Sequence, residues 1–112
     1  MPLELSAVVP SLKDYIAQHS GLFPDALEKI IVFGSFAKGT ARVGSDVDIA
    51  LVSAINWEIA DKGIVRDALE DFAPDMHLSL FYTTIERLKA DSPNDANYWI
   101  CKEGVVLWER KS

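Results

Sequence analysis

Between residues 34 and 48 the chain reads Gly34-Ser35-Phe36-Ala37-Lys38-Gly39-Thr40-Ala41-Arg42-Val43-Gly44-Ser45-Asp46-Val47-Asp48, a run that gathers residue types able to handle phosphate and metal. Asp46 and Asp48 stand two apart, so in an extended strand both carboxylates project from one face. Like charges held side by side repel, and a divalent cation relieves them; carboxylate oxygens completed by waters and substrate phosphates are what Mg²⁺ prefers. Gly34 lets the chain turn sharply and brings backbone N–H groups close to a ligand, while Ser35 can cap a following short helix and donate its hydroxyl. Lys38 and Arg42 add positive charge, Gly39 and Gly44 permit a tight return, and Ser45 is a further donor. A phosphate seat beside an Asp-x-Asp pair points to metal-assisted phosphoryl or nucleotidyl transfer.

Such a site needs strands to carry it. Residues 29–33, Lys-Ile-Ile-Val-Phe, are β-branched and aromatic, stop at Gly34, and read as a buried strand. Residues 46–52 form a second strand, and residues 76–82 a third. On that third strand Asp75, His77, Ser79 and Phe81 share one face, and Met76, Leu78, Leu80 and Tyr82 the other. The spacing of Leu12, Tyr15 and Ile16 predicts a first helix over 11–18, following Pro10. Ile64, Val65, Ala68, Leu69 and Phe72 recur at three- and four-residue steps and predict an amphipathic helix within 57–72. Thr83 and Glu86 have the spacing of a capping box for a short helix through Lys89. Ser92 is placed to cap a further helix with Pro93 in its first position, ended by Gly104 before a last strand over 105–108. Strands separated by helices give an α/β (α+β) fold: a small mixed sheet of about four strands with helices packed on it.

Length and charge narrow the function. At 112 residues the chain is read as a single domain over 1–112, with no repeat or linker. The net charge of −6 opposes broad binding to nucleic acid or anionic lipid, so any nucleotide must be held locally. A single cysteine, Cys101, leaves no internal disulfide, and neither a leader nor a membrane span is expected, so the location is read as cytoplasmic. Cys101 reads as a small buried helix residue, and His19 and His77 as surface or half-buried side chains, His77 hydrogen-bonded. Trp57, Trp99 and Trp108 are assigned to core and interface packing rather than to a base-stacking platform, because they fall on amphipathic elements away from the glycine loop.

The ordered set Gly34-Ser35, Gly39 four residues after Ser35, and Ser45-Asp46-Val47-Asp48 resembles the signature of the minimal nucleotidyltransferase (MNT) family of the DNA polymerase beta superfamily. The ending Lys102-Glu103-Gly104-Val105-Val106-Leu107 is similar to that of small bacterial MNT proteins. The resemblance implies a nucleotidyltransferase-like fold in which Gly34 and Ser35 grip the triphosphate, and Lys38, Gly39 and Ser45 of the same loop are read as further nucleotide-binding residues. It also implies that Asp46 and Asp48 hold two Mg²⁺ ions for in-line attack of an acceptor hydroxyl on the α-phosphate of ATP or another NTP. A third carboxylate on the neighbouring strand belongs to the family pattern; Asp75 is the candidate, since the mid-strand positions here are His77 and Ser79. Members commonly serve as antitoxins that pair with a helical HEPN ribonuclease toxin and adenylylate it, which implies such a partner. The competing classes are a binding module of the same fold with little catalysis, and a transferase acting on a small molecule such as an aminoglycoside.

Overall fold

A computed structural model describes residues 5–72 and 76–111 of the chain. Four strands, β1 (Leu27–Phe33), β2 (Val47–Ser53), β3 (Leu78–Thr84) and β4 (Val105–Glu109), form one sheet in the order β3-β2-β1-β4. β1 pairs antiparallel with β2 and β4, whereas β2 and β3 are parallel, so the sheet is mixed as expected. The helices are α1 (Leu5–His19), α2 (Gly34–Lys38), α3 (Ile59–Glu70) and α4 (Ala96–Glu103). A parallel pair requires a crossover, and α3 supplies it between β2 and β3.

Alternation along the strands sorts side chains onto two unequal faces. Val47, Ile49 and Leu51 of β2, with Ile30 and Val32 of β1, lie under Val8, Leu12 and Ile16 of α1 and Val65 and Leu69 of α3, all fully buried. The other face carries a smaller cluster, Ile31, Ala50, Val52 and Ile100 of α4, flanked by half-buried Phe33 and Phe81. The smaller face thins out toward the N-terminal end of β2. There Val52 and Ala50 are buried, Asp48 is half-buried, and Asp46, just outside the strand, is exposed.

Several helix boundaries differ from those read in the sequence, for identifiable reasons. α1 runs through Pro10 instead of starting after it. A proline inside a helix costs about 3 kcal/mol. Burial of Val8, Leu12 and Ile16 at about 1.5–3 kcal/mol each outweighs that cost. The cap position before Arg87–Lys89 falls to Glu86, and it is Thr84, not the expected Thr83, whose Oγ1 accepts from the Arg87 N–H at 3.2 Å. β3 extends through both threonines, and buried Thr83 instead donates to Asn97 Oδ1 of α4 at 2.5 Å. α4 is capped by Asp95, which accepts from the Asn97 N–H at 2.9 Å; Ser92 and Pro93 lie in the turn before it. Gly104 ends α4 as expected, at a point where a side chain would collide with Ile31 and the Ile100 carbonyl. Cys101 is exposed rather than buried, because Ile100 takes the inward position of α4.

Candidate active site

The site is built where β1 ends and β2 begins. Phe33, the last residue of β1, pairs with Asp48 of β2. The chain then enters α2 through Gly34 at φ 69°, a left-handed conformation that side chains resist. A Cβ on Gly34 would occupy the space taken by the Asp48 carboxylate. Glycine is therefore required twice over, by backbone conformation and by the acid seated against its Cα. Ser35 lies within α2 and does not cap it; Phe33 holds the cap position with no side-chain bond. Ser35 thus sits half-buried at the first turn, next to the glycine.

Asp46 and Asp48 come together on one face, as their spacing predicts. Asp48 is pushed above the ordinary carboxylate range, first by burial, then by the Asp46 charge, with a Ser79 hydroxyl hydrogen bond working in the opposite sense. Ser79 is the register partner of Asp48 on β3. Asp46 meets His77, whose Nδ1 lies 3.0 Å from its Oδ1, and the backbone beneath is fixed by the Val47 N–H donating to the His77 carbonyl at 2.9 Å. The side chains beside the acids are thus the Ser79 hydroxyl of β3 and the imidazole of His77, one residue before that strand, which spans 78–84 rather than the expected 76–82; the expected third ligand, Asp75, lies outside the described residues. Ser45 keeps Asp46 in place through a tight turn: its Oγ accepts from the Arg42 N–H at 2.9 Å, leaving the hydroxyl proton to donate elsewhere.

The remaining sequence candidates separate to two sides of α2. Lys38 lies on the Gly34 side, within 3.6 Å of Glu103 of α4, and the two line a cavity of about 390 Å³ with Phe33, Gly34 and Trp99. Gly39 ends α2 in the left-handed conformation and lines a different cavity, facing Leu5 and Val9 of α1, so it shapes the turn away from the acids. Trp57 and Trp108 pack against the larger core, as expected, and the Trp57 indole N–H is shared between the carbonyls of Leu51 and Thr83. Trp99 is not a core residue: it is 45% exposed and belongs to neither core cluster, which leaves the interface part of the expectation. Sequence reasoning missed it because the return of the chain through α4 to β4, the neighbour of β1, is what carries it to the glycine turn.

Whether such a donor set suits a divalent cation follows from its chemistry. Among the described residues no three His, Cys, Asp or Glu side chains form a complete metal cage. Mg²⁺ does not ask for one: it is ordinarily held by one or two carboxylates with water and substrate phosphates. Asp48, raised by burial and further by the charge of Asp46, fits that pattern, since a cation held by the two acids would offset both.

The family described as Polymerase beta, Nucleotidyltransferase matches residues 11–112. No curated protein sequence matches the chain. Among solved structures, a toxin-antitoxin complex with AMP-PNP shares 23% identity at a TM-score of 0.61, covering 88% of this chain and 74% of the other. A nucleotidyltransferase so named from Sulfolobus solfataricus shares 18% at 0.55, covering 97% and 91%. A tri-AMPylated Shewanella oneidensis HEPN toxin in complex with MNT antitoxin shares 15% at 0.53, covering 91% and 73%. These likenesses show a common fold. With the family matched over nearly the whole length and the two acids set against the glycine turn, the chain belongs to the polymerase beta nucleotidyltransferase family.

Proposed function

We propose that the chain is a cytoplasmic, Mg²⁺-dependent nucleotidyltransferase that moves AMP from ATP to a hydroxyl of a HEPN-type partner protein, as the antitoxin of a toxin-antitoxin pair. The observation that carries the reading is the Asp48 carboxylate lodged against the bare Cα of Gly34, with Asp46 beside it. That contact puts the proposed metal ligands and the proposed phosphate-binding turn within one side chain of each other. The proposed partner is supported by the structural neighbours, which are complexes of toxins with antitoxins, one with an AMPylated HEPN toxin.

Each residue has a role in this reading. Backbone N–H groups after Gly34, the Ser35 hydroxyl and the Ser45 hydroxyl donate to the triphosphate, and Asp46 and Asp48 hold the two Mg²⁺ ions, with Asp75 as the third ligand. When bound, the cation neutralises charge on the phosphates and on the departing pyrophosphate. The acceptor hydroxyl oxygen forms a bond to the α-phosphorus as the bond to the β-phosphate bridging oxygen breaks. Pyrophosphate departs with that electron pair, and the hydroxyl proton passes to solvent water at the exposed Asp46. His77 holds the Asp46 carboxylate in one orientation.

Transfer of label from α-³²P ATP to a co-expressed HEPN partner tests the reading. Asp46→Asn and Asp48→Asn are expected to lower transfer about a thousandfold, as fits the loss of several kcal/mol of metal stabilisation. Transfer that persists in both variants, or in excess chelator, sinks the assignment. One observation favours a second reading: His77, just before β3, and Ser79 on it stand beside the acids where a carboxylate is the family pattern. In that reading the chain binds Mg·ATP and its partner without transfer, and the same experiment separates the two.

A further inference from the structure

We propose that the cavity between α2 and α4 is the seat of a purine base, with Trp99 as its stacking platform; this deepens the nucleotidyltransferase reading and rests on it. Gly34 connects the two sites, since it abuts the Asp48 carboxylate and also lines the cavity. A nucleotide whose phosphates lie at the glycine turn therefore has an adjoining recess for its other end. The volume of about 390 Å³ lies within the range of small-ligand sites.

The walls suit a flat heterocycle. Trp99 and Phe33 are aromatic, and Lys38 and Glu103 close one side with a charged pair that offers both a donor and an acceptor to base edges. Trp99 is held in place before any ligand arrives. Its indole N–H donates to the Pro93 carbonyl at 2.7 Å, and its ring meets Tyr98 edge-on at 5.1 Å between centroids. The polar atom is thus satisfied and the ring orientation fixed, while nearly half of the residue stays in water. An indole so anchored and outside both cores is a preorganised stacking surface, and a purine covers more of it than a pyrimidine does.

The test compares Mg·ATP with magnesium tripolyphosphate, which has the phosphates and lacks the base, in calorimetric titrations of the full chain. Trp99→Ala is expected to weaken Mg·ATP about 5- to 100-fold, the loss of one base stack, and to leave tripolyphosphate within about twofold. Trp99→Phe retains most of the affinity, and saturation with Mg·ATP, but not tripolyphosphate, quenches the tryptophan fluorescence of the parent. Should Trp99→Ala not fold, the Trp99→Phe titration and the quenching decide. Equal weakening of both ligands, no change in either, or quenching by neither overturns the inference while leaving the nucleotidyltransferase reading intact. A Trp99 variant that loses only partner binding overturns it in favour of a protein contact. A parent chain that binds neither ligand overturns both.

Discussion

The two faces of the sheet divide the work of the molecule, and β2 belongs to both. Val47, Ile49 and Leu51 point into the larger core beneath α1 and α3, with no exposed surface. Their neighbours Asp48, Ala50 and Val52 point to the thinner side, where α4 covers two of the three and leaves Asp48 half-buried. One strand therefore carries packing alone on its odd-numbered positions, while its even-numbered side passes from packing at Ala50 and Val52 to the candidate site at Asp48. The lesson is that a half-buried acid is held in position by packing on the opposite side of its own strand. The thinner face can thus stay open without loosening the site.

The largest effect is expected from the closed face. Ile49→Ala should cost about 2–5 kcal/mol, a large part of the roughly 5–15 kcal/mol that holds a domain of this kind together. Urea unfolding measures it, and nucleotide binding at saturating stability should be unchanged. If Mg·ATP binding is lost while the unfolding midpoint holds, the division between faces fails. Gly34→Ala comes next and acts on the hinge between them. The left-handed backbone adds about 1–2 kcal/mol of strain, and the new methyl group displaces the Asp48 carboxylate. The protein is expected to stay folded by circular dichroism and to lose Mg·ATP binding; binding equal to the parent's rules out the proposed geometry.

The smallest effects sharpen the comparison through their dependence on pH. Asp48 is raised by burial and by Asp46, so the native state holds its proton more tightly than the unfolded chain does. Stability from this group is present at low pH and lost as pH rises through the raised value. Asp48→Asn should remove that loss and melt slightly higher at neutral pH. Asp95 is lowered, first by the Asn97 backbone N–H and then by the Asn97 side chain. Its contribution is present above the ordinary carboxylate value and disappears as pH falls through the lowered one, so Asp95→Asn should matter least at strongly acid pH. Thermal melts of the two variants from acid to neutral pH should diverge in opposite directions; parallel curves contradict the assigned causes.

The sequence made the central elements legible because each is written in local chemistry. The β-branched run before Gly34 ends in a strand, and the parity of Asp46 and Asp48 puts both acids on one side. The identity of Ser79 as the strand neighbour of Asp48 was likewise readable from alternation, whereas His77, expected mid-strand, stands one residue before β3 and reaches Asp46 from there. What escaped depended on tertiary neighbours. Pro10 looks like a boundary until the buried stripe of α1 is seen to outweigh it. Thr83 looks like a cap until β3 extends past it and Asn97 claims its hydroxyl. Trp99 gives no sign of lining a recess with Gly34 until the sheet order sets α4 beside the glycine turn, a proximity between residues 34 and 99 that no local pattern encodes.

The parallel pairing of β2 with β3 sets Asp48 opposite Ser79 and Val47 opposite Leu78. Side chains alternate along a strand, so sliding β3 by a single step would present leucine to the acids and drive a hydroxyl into the greasy interior. Trp57, whose ring nitrogen bridges the Leu51 and Thr83 carbonyls at the far end of the same pair, acts as the peg against that slip. The correctness of the acidic corner is thus guarded by a bolt at the opposite end of the ladder, remote from any ligand.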